Sequence, residues 1–269
     1  FSAFSARIRP LPLARSAQEA AEVLEHAHTL SLHFVWADRA GDIRYAQAGY
    51  IPKRTDGWSG LYPVRGDAGP SWDGFYHGAG LPRMGAQDGL IVSANEARLA
   101  EDGGVLSTLS QPHYRQDRIR SLLKKRSDHG FDTMRSIQLD VYSLQAERFV
   151  PRILQYLPSG SLRRALEKWD YCYDVDSVGA HAFEVCYKSL REALAPELGG
   201  AWFLEMLSGS ELCNWWTQAM DTLLGDDLSW KGDRGQRLHT ALQQIALEQP
   251  RKWGQVQRFR LPNMVLGPL

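Results

Sequence analysis

Val35-Trp36-Ala37-Asp38-Arg39-Ala40-Gly41-Asp42-Ile43-Arg44-Tyr45 predicts a β-hairpin near the start of the chain. Residues 31–37 and 43–48 have the composition of strands, and Gly41-Asp42 between them favours a tight turn whose amides the Asp38 side chain can bind. Before the hairpin, Ser16-Ala17-Gln18-Glu19 is a capping box followed by apolar residues at helical spacing, so we expect a short amphipathic helix.

The sequence after the hairpin divides into three further regions. Residues 52–89 are crowded with Gly, Pro and Asp, which predicts a long surface excursion, and residues 90–93 predict a short apolar strand that ends just before Asn95. Residues 114–249 show mostly helical apolar spacing, and residues 253–261 carry alternate apolar positions. We therefore expect a partial sheet with long loops over 1–113, a helical lobe over 114–249 and a return strand within 250–269.

Composition excludes several classes of protein. An apolar content of 43% is enough for a buried core, and 31 basic residues balance 31 acidic ones, so a nucleic-acid partner is not indicated. No run of about 18 or more apolar residues is present, so no membrane span is predicted. The three cysteines have no metal-ligand spacing, and they leave both a single disulfide and the redox compartment open.

Two further segments follow the hairpin in a characteristic order. They are Gly89-Leu90-Ile91-Val92-Ser93-Ala94-Asn95-Glu96 and Tyr114-Arg115-Gln116-Asp117-Arg118-Ile119. Together with the hairpin they resemble an internal part of the β chain of the penicillin acylase (penicillin amidase) family of N-terminal-nucleophile hydrolases. Shorter matches continue the resemblance over most of the chain, at Gly49, Pro52 and Arg54 and at residues 63–66, 72–75, 138–143 and 169–170.

The resemblance implies a fold and roles for two residues. The fold is α+β: part of an α/β/β/α sandwich with a large helical lobe. Asn95 would complete the oxyanion hole, and Arg118 would orient the active site. Without the resemblance, Asn95 would be interpreted as a turn residue and Arg118 as a solvated or ion-paired helix residue. The family often has a second Asn where this chain has Glu96, so no role is carried over to Glu96.

The resemblance also implies a reaction and a set of partners. The family cleaves amide bonds with a serine at the N-terminus of its β chain; Ser2 and Ser5 do not match that serine, so we expect the nucleophile to lie outside this chain and the chain alone to be inactive. The expected partners are the α chain and the other β-chain segments of one precursor. Substrates would be acylated β-lactams, N-acyl homoserine lactones or acylated peptides, in a periplasmic or extracellular location.

No cofactor is implied, but structural calcium in the complete enzyme stays open. Loop carboxylates could supply oxygen ligands without forming an EF-hand pattern, namely Asp42, Asp56, Asp67, Asp73, Glu101 and Asp102. The alternative to an enzyme is a non-catalytic helical accessory or interaction module. That alternative predicts solvent-facing rings, for example at Trp202, Trp215 and Trp216, and no cleft around Asn95 and Arg118.

Overall fold

The structure is a computed structural model, and it describes residues 8–27, 31–55, 60, 65–67, 71–85, 88–108, 110–200 and 217–258. The chain forms two compact units, Phe1–Asp128 and His129–Leu269. Within the described residues, no helix combines the length and the apolar character needed to cross a membrane. Trp202, Trp215 and Trp216, on which the accessory-module alternative depends, lie outside the described residues, as do Ser2, Ser5, Asp56 and Cys213.

The first unit begins with a capped helix and the predicted hairpin. Helix α1 (Ala17–Glu25) starts at Ser16, whose hydroxyl accepts a hydrogen bond from the Glu19 amide at 3.1 Å. Strands β1 (Leu32–Ala37) and β2 (Ile43–Ala48) pair antiparallel, which confirms the hairpin. Gly41 has φ of 88°, and Asp38 Oδ1 accepts from the Ala40 and Asp42 amides at 2.9 and 3.1 Å, so both residues shape the turn as the sequence predicts.

Two small sheets make up the strand content of the described part of this unit. Strand β5 (Arg83–Gly85) adds to the free side of β2, giving the order β1-β2-β5, and Tyr45 pairs with Met84. Strands β3 (Ile51–Arg54) and β4 (Trp72–Tyr76) form a separate antiparallel pair. As the middle strand, β2 is buried on both faces from Tyr45 to Ala48, with the apolar face of α1 packed against it.

The strand expected at residues 90–93 does not form. Leu90 makes an isolated bridge, and residues 91–93 belong to no ladder in the described part of the chain. Backbone reversals at Asp88, Gly89 and Asn95, with φ of 55°, 73° and 67°, leave too short an extended segment between them for a ladder. Helix α2 (Tyr114–Leu123) is the last helix of this unit, which ends at Asp128. The first helix of the predicted helical lobe therefore belongs to the first unit.

The second unit is helical over its described residues. Its helices are α3 (Phe131–Gln138), α4 (Leu144–Tyr156), α5 (Ser161–Glu167), α6 (Val178–Leu198), α7 (Thr217–Gly225), α8 (Gly232–Ile245) and α9 (Trp253–Val256). One apolar core joins five of them through Phe149 and Ile153 of α4, Leu162 of α5, Phe183 of α6 and Leu242 of α8, together with Met220 of α7. The 21-residue helix α6 runs through this core and carries the free, buried thiol of Cys186.

The return strand expected within 250–269 is replaced, over its described part, by the single helical turn α9. The Trp253 and Gly254 amides donate to the Ser177 and Val175 carbonyls at 2.9 and 2.8 Å, and the Trp253 ring meets Tyr173 edge-on. These hydrogen bonds occupy backbone amides that a strand would need for pairing. Residues 253–256 therefore form a helical turn despite the alternate apolar pattern. Residues 259–269 lie outside the described residues.

Candidate functional site

Asn95 lies at a chain reversal in the first unit. Its φ of 67° places a non-glycine residue in the left-handed region, where asparagine is one of the residues best tolerated. Its side chain is exposed, and its carbonyl accepts a hydrogen bond from the Gln111 amide at 3.0 Å. The backbone of Asn95 is therefore fixed while its amide group stays accessible to a ligand.

The Asn95 side chain receives one hydrogen bond from helix α2. Arg115 Nη1 donates to Asn95 Oδ1 at 3.3 Å, slightly longer than the usual range for such a bond. This contact distinguishes the two ends of the amide, because an arginine can only donate and must face the oxygen. The Nδ2 amino group then points elsewhere, and among the described residues it has no acceptor. An amide held in this way presents a hydrogen-bond donor to solvent.

Arg118, the second residue implied by the resemblance, lies on the same helix three residues after Arg115 and is half-buried. Residues three apart share one helix face, so α2 carries both arginines on the side that reaches Asn95. The orienting role of Arg118 stays a prediction. The contact from Arg115 to Asn95 was not predicted, because the sequence around a helical arginine does not indicate which distant residue it contacts.

Glu96 is the buried centre of the site, with an exposed fraction of only 3%. Its Oε2 accepts from the Ala94 amide at 2.6 Å, and its Oε1 accepts from Gln116 Nε2 at 3.0 Å and pairs with the Arg98 guanidinium. The family resemblance implies no role for this residue. The available signal was the Glu-x-Arg spacing of Glu96 and Arg98, which places both side chains on one side of an extended segment.

Arg98 extends the network to the sheet. Its guanidinium lies 4.6 Å from the centre of the Tyr45 ring on β2, and Nη1 is 3.5 Å from Met84 Sδ on β5. The Tyr45 hydroxyl shares a hydrogen bond of 2.5 Å with His33 Nδ1 on β1. A continuous chain of contacts therefore runs from the Asn95 turn to all three strands of the sheet and anchors the turn there.

The electrostatics of the network favour one charged carboxylate and a neutral histidine. Burial acts to raise the pKa of Glu96, but hydrogen bonds from the Ala94 and Glu96 amides and the charge of Arg98 outweigh it, so the pKa lies below its ordinary value. Burial, helped by Arg98 and opposed by Glu96, lowers the pKa of His33. Burial also raises the pKa of Tyr45 to about 12. At neutral pH Glu96 is thus ionised while His33 and Tyr45 are uncharged.

Among the described residues, no group of three or more His, Cys, Asp or Glu side chains is placed to hold a metal ion. Three of the carboxylates considered for calcium have basic neighbours: Asp42 accepts from Arg44 Nε at 2.9 Å, Asp67 binds both ends of the Arg65 fork, and Asp102 lies 4.0 Å from Lys53 Nζ. Asp102 accepts from the Gly104 amide at 2.9 Å. Calcium in a complete enzyme stays a prediction.

The described residues mix helices and strands, which confirms the expected α+β class. The fold is similar to the thermostable penicillin G acylase from Alcaligenes faecalis, with a TM-score of 0.65 and 16% sequence identity over 91% of this chain and 51% of that one. Residues 5–268 match the sequence model of the penicillin amidase family, and the chain belongs to that family.

The chain spans about half the length of the solved acylase that it matches. No protein of curated function matches the sequence significantly. The family match confirms the resemblance seen in the sequence motifs.

Proposed function

We propose that the protein containing this chain hydrolyses the amide bond of an N-acylated small molecule through an acyl-enzyme. The observation that carries the proposal is the Asn95 side chain, which is exposed at a rigid reversal with its oxygen held by Arg115 and its amino group free of described acceptors. A fixed amide donor next to solvent suits an oxygen that gains negative charge during acyl transfer.

The proposed reaction has two steps. A serine hydroxyl from outside the 269 residues attacks the amide carbonyl carbon, its proton passes through water to the serine's own α-amino group, and the carbonyl oxygen becomes an oxyanion that accepts from Asn95 Nδ2. The carbon–nitrogen bond then breaks and the amine leaves with a proton. Water attacks the resulting ester, which releases the carboxylic acid and restores the serine. No cofactor takes part.

The remaining parts of the proposal follow from the family. Arg118 orients the site, and its planar five-donor fork explains why lysine should not replace it: Arg118→Lys is expected to lower turnover. The α chain and the other β-chain segments of the precursor supply the nucleophile and the rest of the pocket. The substrate is an acylated β-lactam, an N-acyl homoserine lactone or an acylated peptide, and the location is periplasmic or extracellular.

The test is a comparison of Asn95→Ala and Asn95→Asp in the full-length protein, with phenylacetyl and long-chain acyl anilides as chromogenic substrates. Loss of one oxyanion donor costs about 3 kcal/mol, so kcat should fall roughly 10²-fold to 10³-fold while KM changes little. Gln138→Ala, which removes an exposed side-chain amide of the helical unit, serves as the matched control. Full activity of Asn95→Ala would refute the proposed role.

A further inference from the structure

The conformation of the Asn95 turn needs an explanation, because a residue other than glycine with φ of 67° is intrinsically disfavoured. Besides the bond from Gln111 to the Asn95 carbonyl, the side chain of the next residue bridges the turn. The Glu96 carboxylate folds back over Asn95, and its Oε2 accepts from the Ala94 amide at 2.6 Å. This bond closes a small ring that contains the Asn95 backbone, so the Glu96 side chain spans the reversal.

The other carboxylate oxygen joins this ring to helix α2 and to the preceding segment. Glu96 Oε1 accepts from Gln116 Nε2 at 3.0 Å and pairs with Arg98. The same two donors also reach the Val92 carbonyl, from Gln116 at 3.2 Å and from Arg98 at 3.3 Å. Gln116 directly follows Arg115, whose guanidinium contacts the Asn95 side chain. Glu96 therefore fixes both the Asn95 backbone and the helix that orients the Asn95 amide.

This arrangement requires a carboxylate. Three groups from other residues converge on Glu96, the Ala94 amide, the Gln116 amino group and the Arg98 guanidinium. All three are hydrogen-bond donors, and two anionic oxygens can accept from all of them. A side-chain amide at this position offers one oxygen and would turn its amino group towards another donor. The asparagine that the family often has here could not make the same set of bonds.

We propose that Glu96 is a positioning residue that holds Asn95 in its left-handed conformation and aims the Asn95 amide at the reacting carbonyl. The role of this turn in catalysis rests on the proposed function, whereas the restraint of the turn by Glu96 does not. The carboxylate touches neither substrate nor nucleophile, and its effect on the reaction passes through Asn95.

The first readout is independent of activity. Glu96→Ala removes both acceptor oxygens, so hydrogen exchange at the Ala94 amide should accelerate strongly, whereas Glu101→Ala at an exposed acid should leave it unchanged. Since Glu96→Ala leaves the half-buried Arg98 without its anion and could unfold the unit, the pair Glu96→Leu with Arg98→Met provides a second variant that removes both charges at similar volume. Retained protection of the Ala94 amide in the folded variant would overturn the proposal.

The second readout is a double-mutant cycle in the full-length protein. Displacement of Asn95 by about 1 Å should lower kcat roughly tenfold to a hundredfold at nearly constant KM. The Glu96 change should have little further effect in an Asn95→Ala background, because the group that it positions is already gone. Equal losses in both backgrounds would overturn the positioning role.

The two proposals fail in different ways. If Asn95→Ala alone keeps full activity, the proposed function fails, and the Ala94 exchange rate alone then decides whether Glu96 restrains the turn. If Asn95→Ala is inactive but Ala94 stays protected without the carboxylate, the function stands and the Glu96 inference is wrong.

Discussion

Replacement of Arg98 by methionine should cost far more stability than replacement of an arginine in an exposed ion pair. In Arg98→Met the Glu96 carboxylate, whose side chain is 2% exposed, keeps only neutral donors, namely the Ala94 amide, its own backbone amide and Gln116. Removal of one partner of a buried pair costs about 3–5 kcal/mol, because the other charge is left uncompensated. The unit should therefore lose a large part of its stability.

Arg83→Met is the matched control. Arg83 pairs with Glu25 at 2.8 Å, but their side chains are 37% and 46% exposed, so the expected cost is below about 1 kcal/mol. Both arginines belong to the first unit and both pair with a glutamate. The contrast between the two variants therefore isolates the effect of burial on an ion pair.

The difference should depend on pH with a definite sign. The pKa of Glu96 is held below its ordinary value, so its stabilising effect is complete above the unfolded-state pKa of about 4.3 and is lost as the pH falls through the lower folded-state value. In Arg98→Met the pKa of Glu96 should rise, because the charge of Arg98 no longer offsets the effect of burial on that pKa. The stability gap between wild type and Arg98→Met should be greatest near neutral pH and should narrow as the carboxylate becomes protonated.

Hydrogen exchange of the β2 amides is the suitable assay, because it reports the opening free energy of the first unit without mixing it with that of the helical unit. Exchange would be measured for both variants at pH 7 and again near pH 4. Equal losses for Arg98→Met and Arg83→Met, or a gap that does not change with pH, would refute the electrostatic account of the network.

Two further predictions concern the helical unit, and urea unfolding followed by helical circular dichroism would check both. Gly160→Ala would place a Cβ atom 2.1 Å from the Ala246 carbonyl oxygen, so we expect the free energy of unfolding to fall by about 1–3 kcal/mol or more. Gly130→Ala, also at a helix N-cap, is the control. Its Cβ atom meets no described atom within 4 Å, so it should cost only the small difference in capping preference. Tyr187→Phe removes the hydroxyl that donates to the buried Asp221 carboxylate at 2.6 Å and should cost about 1.5–3 kcal/mol, and an unchanged midpoint would contradict that.

Elements specified by local chemistry were predictable from sequence. The hairpin depends on Gly41 and Asp38, and helix α1 depends on the cap at Ser16, all of which act within a few residues of themselves. The family motifs likewise located Asn95 and the helix that carries Arg118. These features needed no knowledge of distant contacts.

Features that depend on distant contacts were not predictable. The inward turn of Glu96 requires donors from Gln116, twenty residues later, and the strand expected after Trp253 gave way to bonds with Val175 and Ser177. A single sequence shows the alternate apolar pattern but not the partner that overrides it. The contact between Arg115 and Asn95 was missed for the same reason.

The core of the helical unit has a consequence for the order in which the chain can fold. That core brings together residues from Ala146 to Leu242, so it cannot close until nearly all of the described chain has been synthesised. The sheet of the first unit, in contrast, is complete by Gly85. Synthesis from the N-terminus therefore allows the hairpin sheet to assemble early. Helices α4 to α6, in contrast, keep their apolar faces exposed until α8 has been synthesised. During this interval the chain is most prone to aggregate and most suited to bind a chaperone.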